Sequence, residues 1–271
     1  MFPMSSSLTF SLIQPSLAWE DKTANLGHLG QLLESITAKT EIVILPEMFS
    51  TGFSMQPEKL AENMEGPTVQ WMKDWAHKKR VALTGSVIIE DGRHYYNRLL
   101  WVLPDQTVGY YDKRHRFAFA GEDEKYTPGK KRLIAQVKGW KVNLQVCYDL
   151  RFPVWARQQL ENGPNSQPEY DVLVYVANWP ERRSHAWKTL LTARAIENQC
   201  YVMGVNRVGN DGNGIYHSGD SMVIDPLGEV LFHKAHEEAI YTITIDKEKL
   251  DEVRSRFPFW KDADHFHISQ S

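Results

Sequence analysis

An apolar run ends at a cysteine in the stretch Val142-Asn143-Leu144-Gln145-Val146-Cys147-Tyr148-Asp149, and Arg151-Phe152-Pro153 follows it. The run predicts a strand over residues 142–146, and Pro153 predicts the first turn of a helix that continues to about Glu161. A side chain at such a strand-to-helix junction projects from a rigid sheet edge, where a thiol can act as a nucleophile. A cysteine buried within a strand is only part of the packing, so other residues must decide between these interpretations.

Strand-like and helix-like segments alternate along the rest of the chain. The predicted helices cover residues 21–36, 67–79 and 184–199, the last with Ser184 as its N-cap. The predicted strands cover residues 9–13, 41–45, 81–89, 97–102, 108–112, 172–176, 201–206, 221–224 and 241–245. Turn residues at Asp91-Gly92 and Asp225-Pro226-Leu227-Gly228 predict hairpins. The pattern indicates an α/β fold with a mixed sheet covered by helices.

Composition limits the classes of function. The chain has 271 residues and a formal net charge of -3, so we expect neither nucleic acid nor an anionic membrane as a partner. Two cysteines are too few for a disulfide framework, which favours a reducing, cytoplasmic compartment. No apolar run is long enough to span a bilayer, and the short run over residues 8–13 is not typical of a signal peptide.

Two more ionisable residues directly follow predicted strands. Glu47 comes after Ile42-Val43-Ile44-Leu45-Pro46, and Lys113 comes after Val108-Gly109-Tyr110-Tyr111-Asp112. Such positions lie at the sheet edge where ligands bind, although acids and lysines there are often merely solvated. With Cys147 they would supply a base, a cation and a nucleophile. A papain-type Cys–His pair stays open, because the ten histidines include His115, His185, His217 and His265.

Three segments resemble the catalytic segments of the nitrilase, or carbon–nitrogen hydrolase, superfamily and occur in its order. They are Ile44-Leu45-Pro46-Glu47-Met48-Phe49, Tyr111-Asp112-Lys113-Arg114-His115 and Val146-Cys147-Tyr148-Asp149-Leu150-Arg151-Phe152. The resemblance continues through Ser218-Gly219-Asp220-Ser221 and the turn at Asp225-Pro226-Leu227-Gly228. It implies a four-layer α-β-β-α sandwich of two mixed sheets, with one domain over residues 1–271 and a C-terminal extension from about residue 247.

The resemblance also implies a role for each residue of the catalytic segments. Cys147 would be the acylated nucleophile, and Glu47 would transfer protons. Lys113 would stabilise the tetrahedral oxyanion together with the backbone N–H of Tyr148. This chemistry requires no metal or organic cofactor.

A further acid is expected to orient the lysine, and homo-oligomers are common in the family. Glu122, six residues before Pro128, fits the position of the acid best, with Glu124 as the second choice. We expect a homodimer or a larger homo-oligomer from the resemblance alone. The segment Phe257-Pro258-Phe259-Trp260 could form such a contact or pack on its own domain.

Two segments are similar to those of bacterial ω-amidases, which hydrolyse the terminal amide of small 2-oxo acid amides such as 2-oxoglutaramate and 2-oxosuccinamate. They are Glu47-Met48-Phe49-Ser50-Thr51-Gly52-Phe53-Ser54 and Ala177-Asn178-Trp179-Pro180, the latter followed by Arg182-Arg183 and Ala193-Arg194-Ala195-Ile196-Glu197-Asn198. A substrate carboxylate would need a fixed cation, for which arginine is well suited. The candidates for substrate binding are Arg151, Arg182, Arg183, Phe53, Phe117, Phe119 and Trp179, although surface ion pairs and core packing are the usual roles of such residues.

The sequence leaves other functions open. A nitrilase, an N-carbamoyl amide hydrolase or an aliphatic amidase of the same superfamily would share the three segments. An inactive homologue that serves as a binding or assembly module is the alternative from another class, and the intact Glu47, Lys113 and Cys147 argue against it. The stretch Asp262-Ala263-Asp264-His265-Phe266-His267 resembles a metal site by composition only, without a known ligand spacing. The stretch Gly209-Asn210-Asp211-Gly212-Asn213-Gly214 lacks the Lys-Ser/Thr ending of a phosphate loop and predicts a hairpin turn.

Overall fold

The computed structural model describes residues 6–159 and 167–269. The strands of this part are β1 (Ser7–Gln14), β2 (Ile42–Ile44), β3 (Ala82–Asp91), β4 (His94–Val102), β5 (Val108–Asp112), β6 (Leu133–Val137), β7 (Trp140–Val146), β8 (Val172–Val176), β9 (Tyr201–Val205), β10 (Val208–Asn210), β11 (Tyr216–Ile224), β12 (Val230–Ala235) and β13 (Ala239–Asp246). They form one sheet of order β13-β1-β2-β3-β4-β5 and a second of order β10-β11-β9-β8-β7-β6, with β12 paired to β11. Strands β1, β2 and β3 are parallel, as are β7, β8 and β9, so both sheets are mixed.

Helices cover the outer face of each sheet. The α-helices of the described residues are α1 (Lys22–Ser35), α2 (Pro57–Leu60), α3 (Pro67–Lys79), α4 (Glu122–Lys125), α5 (Pro153–Ala156), α6 (Ser184–Asn198) and α7 (Lys247–Arg256). Helices α1 and α3 bury Leu29, Leu33 and Met72 against the first sheet. Helix α6 buries Trp187 and Leu191 against the second sheet. The fold is therefore the four-layer α-β-β-α sandwich that the family resemblance predicts.

Strand β2 shows why the central strands are continuously apolar. Ile42 and Ile44 belong to the core between the two sheets, whereas Val43 belongs to the core under α1 and α3. Successive side chains of a strand point to opposite faces, so a strand covered on both faces needs apolar residues throughout. Full burial of each such side chain stabilises the fold by roughly 1.5–3 kcal/mol. The sheet edge beyond β2 is consequently rigid enough to position polar residues.

Each strand and each of the three long helices that the sequence predicts is present, with local corrections. The first hairpin turns at Gly92-Arg93, one residue later than predicted, because Asp91 still pairs with His94. Ser184 is not the N-cap of α6. A 3-10 turn over Glu181–Arg183 leads directly into the helix, and Arg183 occupies the cap position without a side-chain bond. The predicted turn within residues 209–214 is confirmed as the β10–β11 hairpin.

Helix α5 is shorter than predicted, since it ends at Ala156 rather than near Glu161. The backbone of Gln158 donates to Asn198 Oδ1 at 3.0 Å, and its side-chain Nε2 donates to the Tyr170 and Asn198 carbonyl oxygens at 3.0 and 2.8 Å. These bonds to the end of α6 and the start of β8 replace the helical bonds that the chain would otherwise make. Residues 160–166, which include the predicted helix end at Glu161, lie outside the described residues.

The C-terminal segment packs on its own chain. Arg254 of α7 pairs with Asp171 at 2.9 Å and donates to the Gln199 carbonyl oxygen at 2.9 Å. The Trp260 backbone donates to Gln199 Oε1, whereas the Phe259 side chain remains 65% exposed. Over the described ranges, no helix has the length and apolar character needed to cross a bilayer.

Candidate active site

Four polar side chains meet where strands of the two sheets end. Lys113 directly follows β5 and Cys147 directly follows β7, while Glu47 lies just beyond β2 and Glu122 begins α4. Lys113 Nζ lies 2.9 Å from Glu47 Oε1 and 2.8 Å from Glu122 Oε2. The two carboxylates are fully buried, the lysine is 1% exposed and Cys147 is 9% exposed. The structure thus brings together the four residues that the family resemblance singles out.

The backbone around Lys113 fixes its position. Its N–H donates to the Asn97 carbonyl oxygen at 3.0 Å, and its carbonyl oxygen accepts from Gly129 N–H at 3.0 Å. A Cβ at Gly129 would lie 1.8 Å from the Asp112 carbonyl oxygen, so only glycine permits this approach.

Glu122, and not Glu124, is the acid that contacts the lysine. Both of its carboxylate oxygens lie within 2.9 Å of Lys113 Nζ, and the Phe117 backbone N–H also donates to it. Glu124 is exposed on the outside of α4. The geometry therefore agrees with the first choice made from the sequence.

Asn97 links the two carboxylates and was not predicted. Its Nδ2 donates to Glu47 Oε1 at 2.8 Å and to Glu122 Oε1 at 3.1 Å. The amide cannot be reversed, because Ser86 Oγ donates to Asn97 Oδ1 at 2.7 Å while accepting from the Met48 N–H at 2.8 Å. Asn97 lies within β4, and nothing local in the sequence distinguishes it. Only the register of β3, β4 and β5 places it at the site.

Cys147 occupies a strained turn that a buried aspartate holds in place. Its φ is 45°, in the left-handed region that a non-glycine residue adopts at a cost. Asp149 Oδ2 accepts from the Val146 N–H at 3.0 Å and from Tyr111 OH at 2.7 Å, and its Oδ1 contacts His115 Nδ1 at 2.8 Å. One carboxylate thereby joins the end of β7 to β5 and to the segment after Lys113. The turn keeps the thiol at the edge of the sheet.

Burial and charge together set the protonation of the site. Burial raises the pKa of the Cys147 thiol well above its usual range, the charge and hydrogen bond of Glu47 raise it further, and Lys113 opposes them. Burial lowers the pKa of Lys113, but attraction to Glu122 and Glu47 outweighs it, so the pKa lies above its ordinary value. Burial also raises the pKa of Glu122 despite the neighbouring lysine. The resting cluster therefore holds a neutral thiol beside an ammonium.

A cavity of about 430 Å³ opens beside the thiol. Its lining includes Cys147, Tyr148 and Asn178, and all of the predicted substrate-binding residues, namely Phe53, Phe117, Phe119, Trp179, Arg151, Arg182 and Arg183. The Arg151 guanidinium lies 5.0 Å from the Trp179 ring, and that of Arg183 lies 5.1 Å from the Phe117 ring. Within residues 6–159 and 167–269, none of the three guanidinium groups pairs with a carboxylate. Burial and the nearby Arg182 lower the pKa of Arg183.

The histidines do not form a papain-type pair with Cys147, because the charged groups that act on its thiol are Glu47, Lys113 and Glu122. His115 is held by Asp149 and stacks on Phe152 at 3.9 Å, and His185 and His265 are exposed. Burial and the nearby Arg207 lower the pKa of His217 to about 4, so this ring is neutral near pH 7. Among the residues that the structure describes, no group of three or more His, Cys, Asp or Glu side chains could hold a metal ion.

Asn178 is a second site residue that was not predicted, although the sequence held a signal for it. Its backbone N–H donates to Glu47 Oε2 at 2.8 Å, and its Nδ2 donates to the Glu47 carbonyl oxygen. It lies just beyond the buried strand β8, the same kind of position that singles out Glu47 and Cys147. Applying that rule to every apolar strand would have identified it.

Comparisons with known proteins identify the family of the chain. The sequence profile of the carbon-nitrogen hydrolase family matches residues 9–255. The chain is 44% identical to the omega-amidase YafV of Yersinia enterocolitica, over 96% of this chain and 98% of that protein. It is 31% identical to the 2-oxoglutaramate amidase of Bacillus subtilis, over 94% of this chain and 96% of that protein.

Solved structures that are similar to this chain belong to the same superfamily. XC1258 from Xanthomonas campestris, a CN-hydrolase superfamily protein with an arsenic adduct in its active site, superposes with a TM-score of 0.95 at 46% identity, over 98% of this chain and all of that one. Nit3 of Saccharomyces cerevisiae, from branch 10 of the nitrilase superfamily, superposes with a TM-score of 0.81 at 26% identity, over 94% of this chain and 96% of that one. The chain belongs to the carbon–nitrogen hydrolase family.

Proposed function

We propose that the protein is an ω-amidase that hydrolyses the terminal amide of small 2-oxo acid amides, such as 2-oxoglutaramate and 2-oxosuccinamate, to the 2-oxo acid and ammonia. One observation carries the proposal: the Cys147 thiol lies in the field of the buried Glu47–Lys113 ion pair and shares a cavity with three guanidinium groups that have no carboxylate partner among the described residues. The similarity to the ω-amidase and the 2-oxoglutaramate amidase described above supports the same substrate class.

In the acylation half of the proposed reaction, Glu47 accepts the thiol proton of Cys147 as sulfur attacks the amide carbon. Lys113 and the Tyr148 N–H then stabilise the oxyanion, and such a donor contributes about 3–4 kcal/mol in other enzymes. Glu47 returns the proton to the departing nitrogen, so the C–N bond breaks, ammonia leaves and a thioester remains. In the deacylation half, Glu47 activates water, which hydrolyses the thioester and restores the thiol.

The remaining residues orient the catalytic groups and the substrate. Glu122 orients the lysine, which it contacts through both oxygens. Arg183 is the best candidate for binding the substrate carboxylate, because it is half-buried whereas Arg151 and Arg182 are exposed. A guanidinium without an ion-pair partner is suited to bidentate recognition of a carboxylate. Phe53, Phe117 and Trp179 form the apolar part of the wall.

Replacing Glu47 by glutamine should separate the reactivity of Cys147 from catalysis. Amide hydrolysis should fall about 10²- to 10⁴-fold, because the proton acceptor is lost. Alkylation of Cys147 by iodoacetamide should shift to lower pH, because the Glu47 charge raises the pKa of the thiol and Lys113, which lowers it, remains. Measuring the alkylation rate against pH checks this, with Glu124→Gln as the matched control that leaves both properties unchanged. A shift of the alkylation profile to higher pH would contradict the account.

Replacing Arg183 by glutamine should weaken only substrates that carry a carboxylate. We expect kcat/KM for 2-oxoglutaramate to fall about 10- to 100-fold, mostly through KM, because a charge-assisted hydrogen bond is lost. Hydrolysis of an uncharged aliphatic amide should change little. Arg182→Gln is the control from the adjacent, exposed position and should have the smaller effect. Equal losses for charged and uncharged amides would remove Arg183 from the carboxylate site.

A substrate panel tests the proposed function itself. Ammonia release should be compared for 2-oxoglutaramate, glutamine, a nitrile and an N-carbamoyl amino acid at equal concentrations. The proposal expects the oxo-acid amide to have the highest kcat/KM. Good activity on the nitrile with none on 2-oxoglutaramate would place the protein in another branch of the superfamily.

We further propose a cytoplasmic homo-oligomer, at least a dimer. Val154 of α5 and Ile196 of α6 are 54% and 52% exposed, and Phe259 adds a further exposed apolar side chain. Exposed apolar groups of this kind are suited to a subunit contact. Sedimentation equilibrium of the purified protein measures the assembly, and a monomer at micromolar concentration would contradict this part of the proposal.

A further inference from the structure

The side chain of Asn178 carries a hydrogen-bond acceptor that has no role in the acylation and deacylation steps of the proposed reaction. Its Oδ1 atom is buried and has no donor among the described residues. The residue is only 6% exposed, and it lines the same cavity as Cys147. A buried acceptor without a partner destabilises a protein, so a site that retains one needs an explanation.

The contacts with Glu47 fix which end of the amide is the acceptor. The Asn178 Nδ2 donates to the Glu47 carbonyl oxygen, which can only accept. Turning the amide over would place two acceptors against each other, so Oδ1 must remain the unpaired atom. The Asn178 backbone N–H meanwhile donates to Glu47 Oε2 at 2.8 Å. The unpaired acceptor therefore belongs to a residue that is hydrogen-bonded to Glu47, the residue that transfers protons in the proposed reaction.

A primary amide brings the donor that this acceptor lacks. Its –NH2 group carries two N–H bonds, and the ammonia formed from it carries three. We infer that Asn178 Oδ1 accepts a hydrogen bond from the nitrogen of the substrate amide and holds that nitrogen beside Glu47 as it departs. The inference rests on the proposed amidase function and adds a residue that selects the leaving group.

The assignment gives each atom at the reacting centre a partner. Sulfur forms the new bond to the carbonyl carbon, the oxygen faces Lys113 and the Tyr148 N–H, and the nitrogen faces Glu47 and Asn178. When the C–N bond breaks, the nitrogen takes the proton from Glu47 and leaves as ammonia. A substrate whose leaving atom is an ester oxygen has no N–H to offer, so Asn178 Oδ1 stays unpaired. Sites with buried polar groups discriminate against such analogues for this reason.

The test compares an amide with an ester of the same acyl group. The kcat/KM values of 2-oxoglutaramate and of the corresponding ω-methyl ester of 2-oxoglutarate are measured for the wild-type protein and for Asn178→Ala. The ratio of amide to ester kcat/KM should fall about 10- to 100-fold in Asn178→Ala, because only the amide loses a hydrogen bond.

Asn97→Ala is the matched control, because Asn97 also donates to Glu47 but does not line the cavity. It should slow amide and ester hydrolysis by the same factor and leave the ratio unchanged. Equal ratios in Asn97→Ala and Asn178→Ala would show that Asn178 only positions Glu47, which would overturn the inference. A wild-type protein that hydrolyses the ester but no amide would instead overturn the proposed function.

Discussion

Cys147→Ala is expected to lower ammonia release from 2-oxoglutaramate by at least about 10³-fold, because no other group can form the acyl-enzyme. The substitution removes one sulfur atom at a residue that is already 9% exposed to the cavity, so the fold should survive. Substrate binding should also survive, since the arginines and aromatic residues of the cavity remain. Steady-state ammonia assays and a calorimetric binding titration with 2-oxoglutaramate measure the two effects separately.

Cys200 provides the matched control. Cys200 lies between the end of α6 and the start of β9, and its side chain is completely buried and does not line the cavity. Burial raises the pKa of its thiol. Cys200→Ala should therefore retain kcat and cost only packing stability, which thermal unfolding would register. Undiminished activity in Cys147→Ala, or loss of activity in a folded Cys200→Ala, would contradict the assignment of the nucleophile.

Lys113→Met should abolish hydrolysis and also destabilise the protein. The substitution leaves Glu47 and Glu122, both fully buried, without the cation that lies within 2.9 Å of each. Breaking a buried ion pair by removing one partner typically costs about 3–5 kcal/mol of stability. Urea unfolding measures this loss in the free energy of unfolding, and the ammonia assay measures the loss of oxyanion stabilisation.

A double variant separates the two consequences. Lys113→Met combined with Glu122→Gln removes one buried charge and should recover at least about 1 kcal/mol of stability relative to Lys113→Met. Activity should not return, because the oxyanion still lacks the ammonium. If the single variant were as stable as the wild type, the ion-paired cluster would not exist as described. If the double variant regained activity, the lysine would act only through Glu122.

The sequence predicted the central strands well because they are buried on both faces. Strand β2 and strand β8 are continuous apolar runs, and α3 begins at Pro67 as predicted, because proline is well tolerated in the first turn of a helix. The prediction from sequence failed where tertiary contacts determine the backbone conformation. Helix α5 stops at Ala156 because Gln158 bonds to the end of α6, which no local pattern reveals. Strand β12 was missed because none of its side chains is buried, and its apolar residues Val230, Leu231 and Phe232 are consecutive and do not alternate with polar ones.

The sequence likewise indicated some residues of the candidate site and not others. Glu47, Lys113 and Cys147 carry a local signal, since each follows a predicted strand, and the family resemblance linked them. Asn178 carried the same local signal and was overlooked. Asn97 could not be found from the sequence, because it sits inside β4 and reaches both carboxylates only through the register with β3 and β5. Asp149 acts through its contacts with Tyr111 and His115, which lie 38 and 34 positions earlier in the chain, so local patterns cannot indicate its role.

Trapping the covalent intermediate tests the central claim most directly. The wild-type protein is mixed with 2-oxoglutaramate, quenched in acid on the millisecond-to-second timescale and analysed by mass spectrometry of the intact chain and its peptides. The account predicts a mass increase equal to the 2-oxoglutaryl group, located on the peptide that contains Cys147 and removed by hydroxylamine. It predicts no such adduct in Cys147→Ala. Ammonia release by the wild-type protein with Cys147 unmodified at every time point, or an acyl group on another residue, would contradict it.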